Sequence, residues 1–479
     1  MKTFKTIIIT LACSLALTAC EDFLNITPEG QIKQDELLST PEGIEDALYG
    51  AYAQMRNQSL YGQELSFSTI ELLAQTLTCE GNKTIESLTK YDYANTSVKG
   101  IFEGIWTAMY KNISNVNSIL DAPLVASATE FPYTIYKGEA LGLRAFMHFD
   151  LVRLFAHQIT QVPHAGGIPY AKSFSLNTPD FESLAQNYEH ILADLHEAER
   201  LLADEVKYVN TSVFMTDRQI HCNLYAVQAL LARVYLTKGN MAKAAEYAKK
   251  VIDDSPYKLN EKTEIEGDLA GILSRNETLF GIYFAEFYTN VYAKLEATTS
   301  YSSLDPRADI EEIYAQEEQG ADFRKSANLK TVDQGGSSTL RLSKLTDIYE
   351  LGGNAADRPK DRIVGINLIR MPEMYYIMAE ALLEAADTME ATRYFDCVLE
   401  SRGLTALSAR VPADTITQER INLDRFKEYI GEGYTFYNLK RQHLPIDAWD
   451  ATTNSLRTEV PDTAIYRIPI PDSEYANRY

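Results

Sequence analysis

Apolar residues recur at helical spacing along most of this chain, and the cleanest stretch runs from His221 to Pro256. Leu224, Val227, Leu231, Val234 and Tyr235 mark one face. Gly239-Asn240 interrupts the pattern, and Met241, Ala244, Ala245, Ala248, Val251 and Ile252 resume it before Pro256 stops it. This predicts two amphipathic helices joined by a tight turn. Such a hairpin cannot bury its own apolar face, so neighbours are expected on both sides.

The periodicity supplies them. Pro41 opens a helix with Ile44, Ala47, Leu48, Ala51, Tyr52 and Met55 on one face. Residues 57–99 are irregular around a short helix near 64–77. Phe102, Ile105, Trp106, Met109, Ile113, Val116 and Leu120 then form a strong apolar face, which makes Trp106 a core residue. A long helix over 134–155 carries Glu139, Arg144, Asp150 and Arg153, spaced so that some can pair along it. Another helix is predicted over 187–202. After Pro256 the texture changes: residues 257–366 offer one strand, Thr278 to Phe284, among Gly-, Ser-, Asp- and Tyr-rich loops that include Gly335-Gly336-Ser337-Ser338. Helical spacing returns at 371–386 and 389–399, and Ile416 to Gly431 reads as the last helix before an extended tail around Ile468-Pro469-Ile470-Pro471.

Small Ala232 and Ala244 at the crossing, aromatic Tyr235, turn Gly239 and terminal Pro256 have the spacing of a tetratricopeptide repeat, in which small residues let the helix axes approach. Ala379 and Ala391 hold the matching positions in a more degenerate second repeat. The fold class expected is mainly α, a tetratricopeptide-repeat scaffold with inserted loops and a few short strands. The regions expected are a signal peptide at 1–19, a tether at 20–39, an N-terminal helical and repeat region at 40–260, an irregular ligand-binding insertion at 261–366, and a C-terminal repeat and tail at 367–479.

The first twenty residues change the picture. Lys2 and Lys5 precede an apolar run, Ile7 to Leu17, too short to span a bilayer, and Leu17-Thr18-Ala19-Cys20 leads small residues to a cysteine. This resembles a bacterial lipoprotein signal, with Cys20 as the lipidated first residue of the mature chain. The formal charge is −22, and −24 without residues 1–19, which argues against a nucleic-acid backbone as partner. Cys79, Cys222 and Cys397 are far apart without CxxC spacing, so neither a disulfide framework nor a zinc site is indicated, and Cys222 and Cys397 read as core residues in helices.

Six stretches in order resemble the SusD/RagB family of outer-membrane lipoproteins. They are Cys20-Glu21-Asp22-Phe23-Leu24, the helix from Glu139 to Phe155, the repeat at 221–256, Arg370-Met371-Pro372-Glu373-Met374-Tyr375-Tyr376 with Ala379-Glu380-Ala381, Glu432-Gly433 with Leu439-Lys440-Arg441, and Ile468-Pro469-Ile470-Pro471. The resemblance implies a non-enzymatic, surface-exposed lipoprotein that lies as a lid over a SusC-like TonB-dependent transporter and binds an oligosaccharide. A peptide ligand, or a repeat-built adaptor without a small-molecule ligand, are the alternatives. No cofactor is implied.

The residues themselves carry no GxSxG elbow, phosphate-cradling glycine loop or HExxH motif. His148, His157 and His164 share no helical face, so no metal site is expected there. Thirty tyrosines stand against two tryptophans, and a tyrosine offers a flat apolar face with a polar tip, as sugar recognition requires. The irregular stretches 57–99 and 285–350 are where such faces can reach a ligand. The family resemblance points to Tyr91, Tyr93 and Asn95 in the first, and Tyr61, Tyr288, Tyr292 and Tyr301 complete the candidate set. Trp449 lies outside both stretches, in an expected loop after Pro445.

Overall fold

The computed structural model describes residues 34–79, 81–265, 273–287, 291, 304–316, 319–334, 337–344, 363–450, 453, 455–476 and 478. Cys20, the signal and most of the tether lie outside these residues, as do Tyr288, Tyr292 and Tyr301.

Helix α1 (Pro41–Met55) starts where the Thr40 hydroxyl oxygen accepts the Gly43 N–H at 3.1 Å, with Pro41 in its first turn. The irregular stretch that follows is mostly turns. It holds α2 (Thr69–Leu73), shorter than the helix expected there, and then β1 (Leu77–Thr78). Next come α3 (Thr96–Asp121), α4 (Tyr133–Phe155), the paired strands β2 (Gly166–Pro169) and β3 (Phe181–Ser183), and α5 (Leu184–Leu202). Ser183 and Gln186 form a reciprocal capping box at the start of α5. The central hairpin is α6 (Leu224–Thr237) and α7 (Met241–Asp254). Gly239 takes a φ of +74° in the turn, and the Asn240 side chain then caps α7 at the Lys243 N–H.

The insertion contains β4 (Thr278–Tyr283), β5 (Asp305–Pro306), α8 (Phe323–Asn328), β6 (Leu329–Gln334), β7 (Ser337–Leu342) and β8 (Gly365–Arg370). Antiparallel pairing of β4 with β8, Thr278 opposite Arg370 and Tyr283 opposite Gly365, ties its two ends together. Strands β6 and β7 make a hairpin on either side of the glycine pair read as loop. Immediately after β8 come α9 (Met371–Glu384) and α10 (Thr388–Ser401), and α9 packs directly on α7. The repeat array therefore runs on across the insertion, which is looped out of it. Ala232, Ala244, Ala379 and Ala391 are all fully buried, as close helix crossings require.

The C-terminal part corrects three expectations. Beyond α11 (Gln418–Tyr429) there is a further helix, α12 (Thr435–Gln442), and Gly431 and Gly433, both at positive φ, separate the two. Trp449 lies in a strand, because β9 (Ile446–Asp450) and β10 (Ser455–Glu459) form an antiparallel hairpin. The tail is extended only between two short helices, Thr463–Tyr466 and Asp472–Ala476.

Helix α4 is buried on every side, since α1, α3, α5 and α6 all pack on it. Its charged groups are inside and partnered. Asp150 and Arg153 pair along the helix, while Arg144 forks onto Asp194 of α5 at 2.7 Å. Glu139 accepts from Tyr52 at 2.6 Å, from the Arg218 guanidinium and from His221. Burial pushes the Glu139 carboxyl up, but the charge of Arg218, then that of His221, overcomes it and holds the group at about 2. Trp106 is core, and its indole N–H donates to Glu474 of the tail at 3.0 Å. Cys222 is buried just ahead of α6, and Cys397 is half-buried on α10.

Removing Glu139 leaves the buried Arg218 with one carboxylate fewer. Glu139→Ala is expected to cost about 3–5 kcal/mol in denaturant unfolding, whereas Glu197→Ala, at an exposed pair with Arg200, costs under about 1 kcal/mol.

Lys440 gives a pH dependence. Its ammonium is buried at the C-terminus of α4, where it donates to the main-chain oxygens of Arg153 and Ala156, and burial, with Arg153 and Arg467 nearby, lowers it to about 7. The unfolded lysine, at about 10.4, binds its proton first, so this group's contribution to stability is lost as pH falls from about 10.4 to about 7. The protein is expected to be more stable at pH 9 than at pH 7 by up to about 2 kcal/mol, at roughly 1.36 kcal/mol per unit. Lys440→Met should remove that difference, read as the change in melting temperature between the two pH values.

Candidate ligand-binding surface

The two irregular stretches singled out by sequence meet in space. β1 pairs antiparallel with β5, Leu77 opposite Pro306 and Thr78 opposite Asp305, and the Arg307 N–H donates to the Thr76 carbonyl at 3.2 Å. Arg307 also forks onto Asp309 and reaches the Asp447 carbonyl of β9 at 2.9 Å. Arg341 of β7 ion-pairs with Asp305. One charged side chain and one strand pairing thus join the first stretch, the insertion and the C-terminal hairpin into a single face.

The candidate side chains divide by what their polar ends do. Tyr91 is half-buried at a φ of +57°, and its hydroxyl donates to the Leu73 carbonyl at 3.1 Å. Burial raises that hydroxyl to about 12, with the Gln75 side chain, Glu459 and Arg457 as smaller influences. Asn95 is half-buried and caps α3, its side-chain oxygen accepting the N–H groups of Ser97 and Val98. Tyr61 is 2% exposed and Tyr93 8% exposed. The Tyr61 hydroxyl donates to Asp150 at 2.7 Å, and the Tyr93 hydroxyl donates to the Ile465 carbonyl at 2.7 Å. In this conformation neither ring has a face to offer a ligand. Asn95, expected among the ligand contacts, instead caps α3, and the signal that could have shown this is an Asn standing just before the apolar face of a helix. The burial of the two tyrosines left no such signal.

Sequence reasoning missed the cleft beside this surface. β4, β8, α8 and the end of α11 enclose a cavity of about 110 Å³, with Ser66, Asn260, Ile265, Asn328, Lys344 and Glu432 in its wall. Three arginines that also line it converge on Glu428. Arg324 comes from α8, Arg370 from the end of β8 and Arg402 from the C-terminus of α10. Arg324 also binds Asp322 and Asp424, Arg370 binds Glu277 and Glu432, and Arg402 binds Glu277. Lys344 donates to Glu432 at 2.8 Å. Burial opposes the charge on Glu428, but Arg402 and Arg370 beside it, with Arg324, hold its carboxyl well below the usual range. The signal was a set of Arg and Glu residues on separate elements, and spacing along a chain cannot reveal their convergence.

Glu428→Gln removes the charge that three buried guanidiniums share. It is expected to destabilise the fold by about 3 kcal/mol or more in denaturant unfolding, and to leave the unfolding transition of the N-terminal helices within the same cooperative step.

Histidines do not gather in this region. His148 is buried in α4, accepting the Ala171 N–H at 3.1 Å and lying 2.9 Å from the Arg144 carbonyl, and burial holds it at about 3. His157 lies beside Arg467, and His164 is exposed.

Comparison with known proteins covers the chain in two overlapping halves. A family model described as SusD-like, starch-binding and associating with the outer membrane, matches residues 22–236, and the model of the SusD family matches residues 222–477. The overlap falls on α6. The chain is similar to SusD-like protein P2 of Formosa agariphila, at 23% identity over 99% of this chain and 97% of that one. Its structure is similar to that of a SusD superfamily protein from Bacteroides thetaiotaomicron, with a TM-score of 0.71 and 25% identity over 91% of this chain and 97% of the other. A laminarin-binding SusD-like protein shares the fold, with a TM-score of 0.65 and 17% identity over 91% and 97% of the two chains.

Proposed function

The chain belongs to the SusD family, and on that premise we propose that it is a cell-surface lipoprotein that binds an oligosaccharide and passes it to a SusC-like TonB-dependent transporter. It binds and does not turn over its ligand. The observation that carries this reading is the pairing of β1 with β5, which makes one surface of two stretches more than two hundred residues apart in the chain. Loops held in place by a rigid helical array are where binding residues are expected to gather.

In this reading Tyr91 stands at the rim of the site. Tyr288, Tyr292 and Tyr301 supply further aromatic faces from the insertion, while Tyr61, Tyr93 and Asn95 support the surface from beneath. A sugar ring presents an apolar face to such rings and hydroxyls to the polar groups around them. The signal at residues 1–20 supports lipidation at Cys20 and an outer-membrane location. Among the described residues no helix is long and apolar enough to cross a membrane.

Calorimetric titration of the full-length protein with a panel of plant, microbial and host oligosaccharides tests the reading. At least one is expected to bind saturably and be recovered unchanged. Tyr91→Ala is expected to raise its Kd by about tenfold, or about 1.4 kcal/mol. Absence of binding across the panel overturns the glycan reading, and binding insensitive to Tyr91 moves the site elsewhere. A large outer-membrane barrel should co-purify from mild detergent.

A further inference from the structure

Glu71 is a buried carboxyl with no role in what precedes. We infer that it is a positioning residue of the glycan-binding surface: it carries a proton shared with Thr76, fastens the start of β1 to the turn at Gly433, and makes glycan affinity fall when that proton is lost. This rests on the glycan-binding reading.

Glu71 lies in α2 at 0% exposure. Two other carboxylates among the described residues are as completely enclosed, and each has a guanidinium: Glu139 pairs with Arg218, and Glu373 with Arg233. Among the described residues no cation pairs with Glu71; its partners are the Thr76 hydroxyl and the Gly433 N–H. The cations on the elements around it are engaged elsewhere or exposed. On α12, Lys440 donates to the Arg153 and Ala156 oxygens and Arg441 pairs with Glu380. On the helix Lys83–Thr89, Lys83 is exposed and Glu86 pairs with Lys90. Arg307 forks onto Asp309. The other acids nearby are Glu432, bound to Arg370 and Lys344, and Glu64, which accepts from Thr69 and Gln63.

A count of protons assigns the state of the carboxyl. The Thr76 N–H donates to the Glu71 main-chain carbonyl at 3.1 Å, and the Thr76 hydroxyl lies 3.1 Å from that same carbonyl and also against Oε2 of the Glu71 side chain. A hydroxyl has one proton to give. Beside an ionised carboxyl the Thr76 oxygen faces two acceptors and satisfies one of them. Beside a neutral acid the carboxyl O–H donates to the Thr76 oxygen, the Thr76 O–H donates to the Glu71 carbonyl, and Oε1 still accepts the Gly433 N–H at 2.7 Å. Every contact is then a hydrogen bond. Burial raises the carboxyl to about 7, and Glu432 adds to the effect, against the Thr76 hydroxyl and the N–H groups of Gly433 and Gly431, which favour the charged form.

The link reaches the ligand surface on one side. The Thr76 carbonyl accepts the Arg307 N–H at 3.2 Å, and the next two residues are β1, so Glu71 holds the start of the β1–β5 pairing. Gln75, just before Thr76, takes a φ of +57°, which a residue other than glycine keeps only where its surroundings fix it. Its side chain donates to the Thr89 carbonyl at 3.0 Å and is a neighbour of the Tyr91 hydroxyl. On the other side, Gly433 takes a φ of +70°, and a Cβ there would lie 2.4 Å from the Leu65 carbonyl oxygen, so the turn is seated directly on the chain ahead of α2. Ionising Glu71 sets a second negative charge near Glu432 and leaves Thr76 one proton short, which loosens β1 and Gln75 beside Tyr91. The folded carboxyl keeps its proton to higher pH than a free one, so this support is largely in place at pH 6 and is lost as pH rises through about 7.

Two measurements on the full-length protein test this. Carbon-13 NMR of glutamate-labelled protein follows the carboxyl signal that is absent from Glu71→Gln and Glu71→Asp; it is expected to titrate near pH 7 and to move to higher pH when a glycan binds, as linkage requires. Calorimetry uses neutral gluco-, xylo- and manno-hexaoses, oligogalacturonate and a sulfated galactan oligosaccharide at pH 6 and pH 8.5. The Kd of the probe that binds is expected to rise about fivefold from the lower pH to the higher. Glu71→Ala is expected to raise the Kd at pH 6 about tenfold, and Glu71→Gln, whose amide donates where the acid O–H does, to restore it to within about threefold of the parent and to abolish the pH dependence. Circular dichroism qualifies each variant, and where one does not fold the parent's pH profile and carboxyl titration decide. A Glu71 carboxyl ionised at pH 6 overturns the inference. So does a parent Kd equal at the two pH values, or a pH dependence that persists in Glu71→Gln; in either case the binding itself leaves the glycan reading standing. Failure of every probe at both pH values overturns both.

Discussion

Glu428 receives guanidinium groups from three separate elements, α8, the end of β8 and the C-terminus of α10, and is itself held on α11. Everything the insertion does depends on that knot. Taking so many charges out of water costs several kcal/mol per ion, and the mutual attraction offsets this only because each carboxylate and guanidinium is hydrogen-bonded as well as paired. The result is a demanding geometry. The stem of the insertion has one position against the repeat array in which all partners are satisfied, and displacement leaves charges buried without them.

The array supplies the rigid base for this arrangement. Helices α6 and α7 stack through α7 on α9, so the apolar faces form one continuous core past a looped-out segment of more than a hundred residues. The β4–β8 pairing brings both ends of that segment to the point where the chain re-enters the array. An insertion closed at its base costs the core little, since loop-closure entropy grows only with the logarithm of length. It also leaves the outer loops to vary without disturbing the repeats.

The same economy of means governs α4. A helix buried on all sides has no solvated face for its charged residues, and Glu139, Arg144 and Asp150 are each met by a partner from another segment or along the helix. Tyr52 and Tyr61 place their hydroxyls on two of these carboxylates and their rings in the core. The abundance of tyrosine is in part explained this way: a side chain that is apolar along its length and polar at its tip satisfies a buried carboxylate from within the core.

Periodicity alone determined the helical class, the position of the central hairpin and the alanines at its crossings, because a helix writes its buried face into the chain every three to four residues. The turn at Gly239 was legible for the same reason, as a local chemical requirement met by adjacent residues, whereas Asn95, expected at the ligand, turned out to cap α3. Family motifs placed these helices in order. Tertiary structure decided the rest. Whether Tyr61, Tyr91 or Tyr93 keeps a ring face open depends on what meets it from other elements, as Asp150 does for Tyr61 and the Ile465 carbonyl for Tyr93. Nothing near Arg324, Arg370, Arg402 or Glu428 announces that they meet, since charge pairing acts through space and leaves no period in the sequence. The pattern of apolar residues fixes which elements form, and the partners of polar groups are fixed only when those elements are brought together.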